Sequence, residues 1–178
     1  MYVRGAVGTL RPISFRISLL LHVNFAVSAL ENLRRCPSAE RSSNMPGYSG
    51  TPLPKKLGIK DGFLVCLLGA PPEVLAELKT ELSHCKVARN GEAPLDFAML
   101  FSKSKSTFGK EFKRLAKQLA PAGMLWVSWP KKSSGVATDL DENAIREIGL
   151  AAGLVDVKVC AVTEVWSGLK FVRRVKDR

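Results

Sequence analysis

The architecture turns on Phe63-Leu64-Val65-Cys66-Leu67-Leu68-Gly69-Ala70-Pro71-Pro72. Six consecutive apolar residues ending on a glycine read as a strand buried on both faces, the signature of a central strand in a parallel sheet. Two prolines follow. Proline is tolerated in the first turn of a helix, where the missing N–H has no partner to lose. The stretch therefore predicts strand, tight turn and helix in ten residues, and Leu75, Leu78 and Leu82 continue the apolar face of that helix.

Downstream the same alternation repeats. Cys85-Lys86-Val87-Ala88-Arg89 predicts a short second strand, with Asn90-Gly91 as its turn, and Leu95 to Phe101 a third, containing Asp96. A helix is expected from Lys105 to Leu119, with Phe108, Phe112, Leu115 and Leu119 inward and Lys110, Lys113, Arg114 and Lys117 outward. Pro121-Ala122-Gly123 is expected to end it, before a fourth strand from Met124 to Trp129. The loop Pro130 to Thr138 leads to Asp139-x-x-Glu142, which reads as a capping box. Ala144, Ile145, Ile148, Ala151 and Ala152 give the next helix its apolar face, and Gly153 its C-terminal cap. Val155 to Val165 alternates, placing Val157, Val159, Ala161 and Val165 on one side, and after Ser167-Gly168 the segment Leu169 to Val175 returns as a last strand.

The order β-α-β-β-α-β-α-β-β specifies an α/β fold with an open, mostly parallel sheet and helices on both faces. A closing pair joined by a tight turn must be antiparallel. That is the layout of the methyltransferase variant of the Rossmann fold. Leu119-Ala120-Pro121-Ala122-Gly123-Met124-Leu125-Trp126-Val127 also looks like the approach to the fourth strand in those enzymes.

The 178 residues carry a formal charge of +11, of which residues 1–44 hold +4 and the remainder +7. A basic excess spread over both parts raises the odds of a polyanionic partner, but plain solvated surface is the reading it favours. Cys36, Cys66, Cys85 and Cys160 form no C-x-x-C pair, and neither His22 nor His84 is near one, which argues against a zinc or redox site. Cysteines inside apolar strands point to a reducing compartment, hence a cytoplasmic protein.

Two parts are expected: an N-terminal extension, 1–44, and a single Rossmann-like domain, 45–178. In the extension, Arg4, Arg11 and Arg16 precede an apolar run from Ile17 to Leu30. The run falls short of the ~20 residues of a membrane span. Three readings stay open: an over-extended gene start ahead of Met45, a targeting segment with Val27-Ser28-Ala29 as cleavage site, or an anchor. Only a genuine signal peptide over residues 1–30 would make the protein secreted.

The motifs Gly47-Tyr48-Ser49-Gly50-Thr51-Pro52-Leu53, Lys55-Lys56-Leu57-Gly58-Ile59-Lys60, Leu68-Gly69-Ala70-Pro71 and Trp126-Val127-Ser128-Trp129-Pro130-Lys131 carry a family resemblance. So do Gly135-Val136-Ala137-Thr138-Asp139-Leu140, Gly153-Leu154-Val155-Asp156 with Lys158-Val159-Cys160-Ala161-Val162, and Trp166-Ser167-Gly168-Leu169. Over nearly all of residues 45–178 the chain resembles the bacterial domain-of-unknown-function family 3052. The resemblance implies a small intracellular bacterial protein and brings no activity with it.

In open α/β sheets the ligand crevice lies beyond the carboxyl ends of the strands. The candidates there are Gly69, Ala70, Ser102, Trp129, Lys131, Ser134, Thr138 and Asp139. Lys131, Ser134, Thr138 and Asp139 could hold an anion, or simply make a solvated loop and a helix cap. Trp129 and Trp166 could stack on a ligand or pack at the core's edge. The first loop has one glycine and two prolines where backbone N–H donors are wanted, and the second strand ends on Arg89 and Asn90 rather than a carboxylate, with Glu92 beyond the turn. The expectation is a non-enzymatic Rossmann-like module that binds a small ligand or protein in the crevice, with no cofactor, metal or catalytic residue. The alternatives are a divergent S-adenosylmethionine-dependent methyltransferase and a nucleic-acid-binding protein using its basic stripes. No membrane span is expected, and the oligomeric state stays open.

Overall fold

A computed structural model describes residues 50–89 and 91–178. The expectations for residues 1–44, for Tyr48 and Ser49, and for Asn90 lie outside the described residues. In chain order the elements are α1 (Leu53–Leu57), β1 (Leu64–Leu68), α2 (Pro72–Glu77), α3 (Lys79–Ser83), β2 (Lys86–Val87), β3 (Leu95–Phe101), α4 (Lys105–Gln118), β4 (Leu119–Pro130), α5 (Glu142–Ala151), β5 (Leu154–Ala161) and β6 (Trp166–Arg173). The six strands form one sheet in the order β2-β1-β3-β4-β6-β5. β1 to β4 are parallel, and β6 lies antiparallel between β4 and β5. The α/β class, the mostly parallel sheet and the antiparallel closing pair are as the pattern specifies.

Each face of the sheet has its own core. On one side α4 and α5 bring Phe108, Phe112, Leu115 and Ile145 onto Leu95, Leu125, Val127 and Phe171. On the other, α1 and the α2–α3 pair bring Leu53, Leu57, Val74, Leu78 and Leu82 onto Val65, Phe97, Met99 and Trp126. The Trp126 indole N–H donates to the Leu57 carbonyl at 3.0 Å and ties α1 to the sheet. Such a buried bond is worth about 1 kcal/mol net.

Several local expectations change. The helix after β1 breaks into α2 and α3 around Leu78. Leu119 to Gly123 does not end a helix in a turn; it is drawn into β4, whose register with β3 shifts between Leu95 and Phe97. A Cβ on Gly123 would meet the Leu95 carbonyl, so glycine is required by close approach rather than by a turn. β1 is only part-buried, because residues 88–94 join β2 to β3 without a helix and leave Leu64, Cys66 and Leu68 incompletely covered. Val157 and Val159 are exposed, not core: β5 is an edge strand with a register shift between Asp156 and Lys158. Among the described residues no helix is long and apolar enough to cross a membrane.

Candidate functional site

The chain leaves β1 for β2 on one flank and then returns to β3 on the other, so the strand order reverses between β1 and β3. The crevice at such a switch point is where open α/β sheets bind ligands. Gly69 stands there, exposed, at φ 70°. A Cβ at that position would lie 2.9 Å from the Phe101 carbonyl oxygen, so the fold itself demands glycine. Ala70 is half-buried behind it. Pro71 and Pro72 carry no N–H, and the amides of Val74 and Leu75 turn back onto the Pro71 carbonyl, each at 3.1 Å. The loop thus has few amides to offer an anion.

The end of β2 is richer than its sequence suggests. The Arg89 amide donates to the Glu92 carboxylate at 2.8 Å, which folds Glu92 back over the turn and sets an exposed carboxylate at the carboxyl end of the strand beside β1.

The remaining candidates stitch loops together. Ser102 is buried; its hydroxyl donates to the Ser104 carbonyl at 3.0 Å and accepts from the Ser104 amide at 3.3 Å. The Thr138 hydroxyl donates to the Lys103 carbonyl at 2.8 Å, and Asp139 accepts from the Lys105 amide at 2.6 Å. Asp139 therefore caps α4, not α5. The residue that caps α5 is Asp141, whose carboxylate accepts from the Ala144 amide at 2.8 Å. The Ser134 hydroxyl donates to the Lys131 carbonyl at 2.7 Å inside its own loop.

Trp129 and Lys131 line a cleft of about 500 Å³ with Lys132, Asp141, Asn143 and Ser167. Gly69, Ala70, Ser102, Ser134, Thr138 and Asp139 are not on its wall. Ser167 could be found only from the strand order, since it faces Trp129 across the β4–β6 pairing. Trp166 packs edge-on against Phe101, ring centres 5.2 Å apart, and belongs to the core. His84 does have a carboxylate near it, Asp61 at 3.7 Å, but both side chains are exposed. Burial pushes the Cys66, Cys85 and Cys160 thiols above the ordinary value, which makes them poor nucleophiles at neutral pH. Among the described residues no group of His, Cys, Asp and Glu could hold a metal ion.

The strand order and the antiparallel closing pair define a methyltransferase-like Rossmann fold. The chain is similar to magnesium protoporphyrin IX methyltransferase from Synechocystis PCC 6803 with S-adenosylhomocysteine bound, at 10% identity and a TM-score of 0.48, over 85% of this chain and 96% of that one. It is similar to an O-methyltransferase from neocarzinostatin biosynthesis in complex with S-adenosylmethionine, at 14% identity and a TM-score of 0.48, over 63% and 49% of the two chains. A third is an S-adenosylmethionine-dependent methyltransferase from Aquifex aeolicus, at 16% identity and a TM-score of 0.45, over 66% and 85%. At these identities the likeness is one of fold. No protein-family model matches the chain, and no curated protein matches it by sequence.

The expectation of a non-enzymatic, cofactor-free module is corrected: the solved structures named above are methyltransferases, and none of them speaks for a non-enzymatic module. That expectation rested on the β1 loop, where one glycine and two prolines stand in place of the backbone N–H donors that a dinucleotide or S-adenosylmethionine site wants. S-Adenosylmethionine carries no phosphate: adenine stands at one end, a ribose with two hydroxyls in the middle, and an amino acid beyond the sulfonium at the other. Beside that loop, at the end of β2, Glu92 supplies a carboxylate.

Proposed function

We propose that residues 45–178 form a divergent S-adenosylmethionine-dependent methyltransferase domain. The observation that carries this reading is the Glu92 carboxylate, returned by its bond to the Arg89 amide to the end of the strand next to β1. Carboxylates accept hydrogen bonds from paired hydroxyls, so Glu92 would hold the ribose, while the exposed Gly69, with the half-buried Ala70 behind it, leaves the switch point open to the rest of the cofactor. When bound, the cofactor supplies an electrophilic methyl group. The cleft walled by Trp129, Lys131, Asn143 and Ser167 would take the acceptor. Membership of the domain-of-unknown-function family 3052 is part of the same proposal and rests on the motifs from Gly47 to Leu169.

Calorimetric titration of S-adenosylmethionine into the full chain tests the reading. Saturable binding is expected, weakened about tenfold in Glu92→Gln, a loss of ~1.4 kcal/mol. The amide side chain still accepts from the Arg89 N–H, so the turn survives and only the charge is lost. A flat titration of the unaltered chain, or equal affinity in the variant, would overturn it.

A further inference from the structure

The register shift in β5 does more than protect an edge. Asp156 pairs with Phe171, the next paired residue, Lys158, faces Lys170, and Val157 between them is left over. A bulge of this kind re-aims side chains. Asp156 stays on the α5 side, where it accepts from Arg146 Nε at 3.0 Å. Lys158 is turned to the opposite face, that of Lys170 and α1, and its ammonium donates to the Lys56 carbonyl at 3.0 Å. With the bulge in place, two lysines stand directly across from each other.

Like charges across a strand pair are destabilising. No ion pair relieves this one: among the described residues no carboxylate lies within ion-pair distance of Lys60, Lys158 or Lys170. Partial burial, then Lys158 and Lys60, push the Lys170 ammonium below its ordinary value. Lys158 and Lys170 thus share one sheet face, beside the five-residue helix that carries Lys55 and Lys56 and is followed by the exposed Lys60.

We propose that this face, built from α1, β5 and β6, docks the phosphate backbone of a nucleic acid. Charge complementarity selects the occupant, in a chain of net charge +11. Val159 pairs with Leu169 and shares its opposite face, so beside Lys158 the exposed apolar side chain is that of the bulged Val157 alone. The face offers no exposed aromatic ring for a base to stack on, Trp126 being buried beneath. Backbone contact without base readout is therefore the expected mode, and sequence preference is expected to be absent.

The proposal stands independently of the methyltransferase reading, because its readout is binding and not methyl transfer. Anisotropy of a labelled short duplex DNA, titrated with the full chain over a range of salt, is the test. Each phosphate neutralised contributes about −0.9 to the slope of log K against log salt, so Lys60, Lys158 and Lys170 together give a slope of about −3. The double variant Lys60→Gln/Lys170→Gln should make the slope shallower by about 2. Lys60→Gln alone, at an exposed position, should remove about 1 even if the double variant fails to fold. Removing the α4 stripe, Lys110→Gln/Lys113→Gln/Lys117→Gln, should leave that share of the slope in place. The proposal is overturned if the α4 variant takes the whole salt dependence, if duplex binding is absent, or if the chain binds only phosphatidylserine vesicles.

Discussion

Gly149 shows how far one residue can set a packing contact. It lies in α5 with its Cα directly over the Phe171 ring, so that a Cβ built there would overlap the ring carbons. Phe171 cannot retreat, being fully buried and edge-on to Phe112 with ring centres 5.3 Å apart. Glycine inside a helix ordinarily costs up to ~1 kcal/mol relative to alanine. Here the contact outweighs propensity: Gly149→Ala is expected to destabilise the domain by about 1–3 kcal/mol, the usual cost of overpacking. Denaturant titration of the variant checks it, and a gain in stability would show that α5 can lift off the sheet freely. The glycine was legible in the sequence, but as an ordinary small residue on a helix; its reason lies twenty-two residues away on β6.

At the scale of elements, the two aspartates before α5 divide the work of capping. Asp141 holds the first turn of α5 and Asp139 that of α4, so one short loop fixes the start of both helices on that face. The capping-box spacing pointed to Asp139 and Glu142 because it counts along the chain and cannot see a helix start thirty-four residues earlier in the fold. Asp139→Ala and Asp141→Ala should each cost about 0.5–2 kcal/mol, the range for loss of a cap. Amide hydrogen exchange separates them: the first should loosen α4 near Lys105, the second α5 near Ala144. Loosening of α5 by both would return the cap to Asp139. The sites share a loop, so their effects are not expected to add.

For the whole molecule, the sheet buries its thiols at intermediate depth, with a consequence for pH. Burial raises the Cys66, Cys85 and Cys160 pKa values above 9.0, so the folded state holds protons that the unfolded chain has begun to release. A group whose folded pKa is raised contributes stability that is intact below its unfolded pKa and lost as pH rises through the folded one. Thermal melts are therefore expected to change little on account of the thiols up to neutral pH and to fall as pH climbs past 9.0. Replacing Cys66 by alanine should flatten part of that alkaline fall, and an unchanged profile would assign it to other groups.

Alternation of apolar runs with amphipathic helices is a property of the chain itself, and it determined the parallel sheet, the antiparallel closing pair and both helix layers. Burial of apolar surface needs only the local period, which any strand or helix carries in its own residues. The site was not of that kind. Glu92 at the end of β2, the transfer of Asp139 to a distant helix, the Lys158–Lys170 opposition across a bulge, and Ser167 facing Trp129 each depend on one residue reaching another through space. Hydrogen bonds and charge contacts act over a few ångströms whatever the separation in sequence, so only the tertiary structure could bring those pairs together.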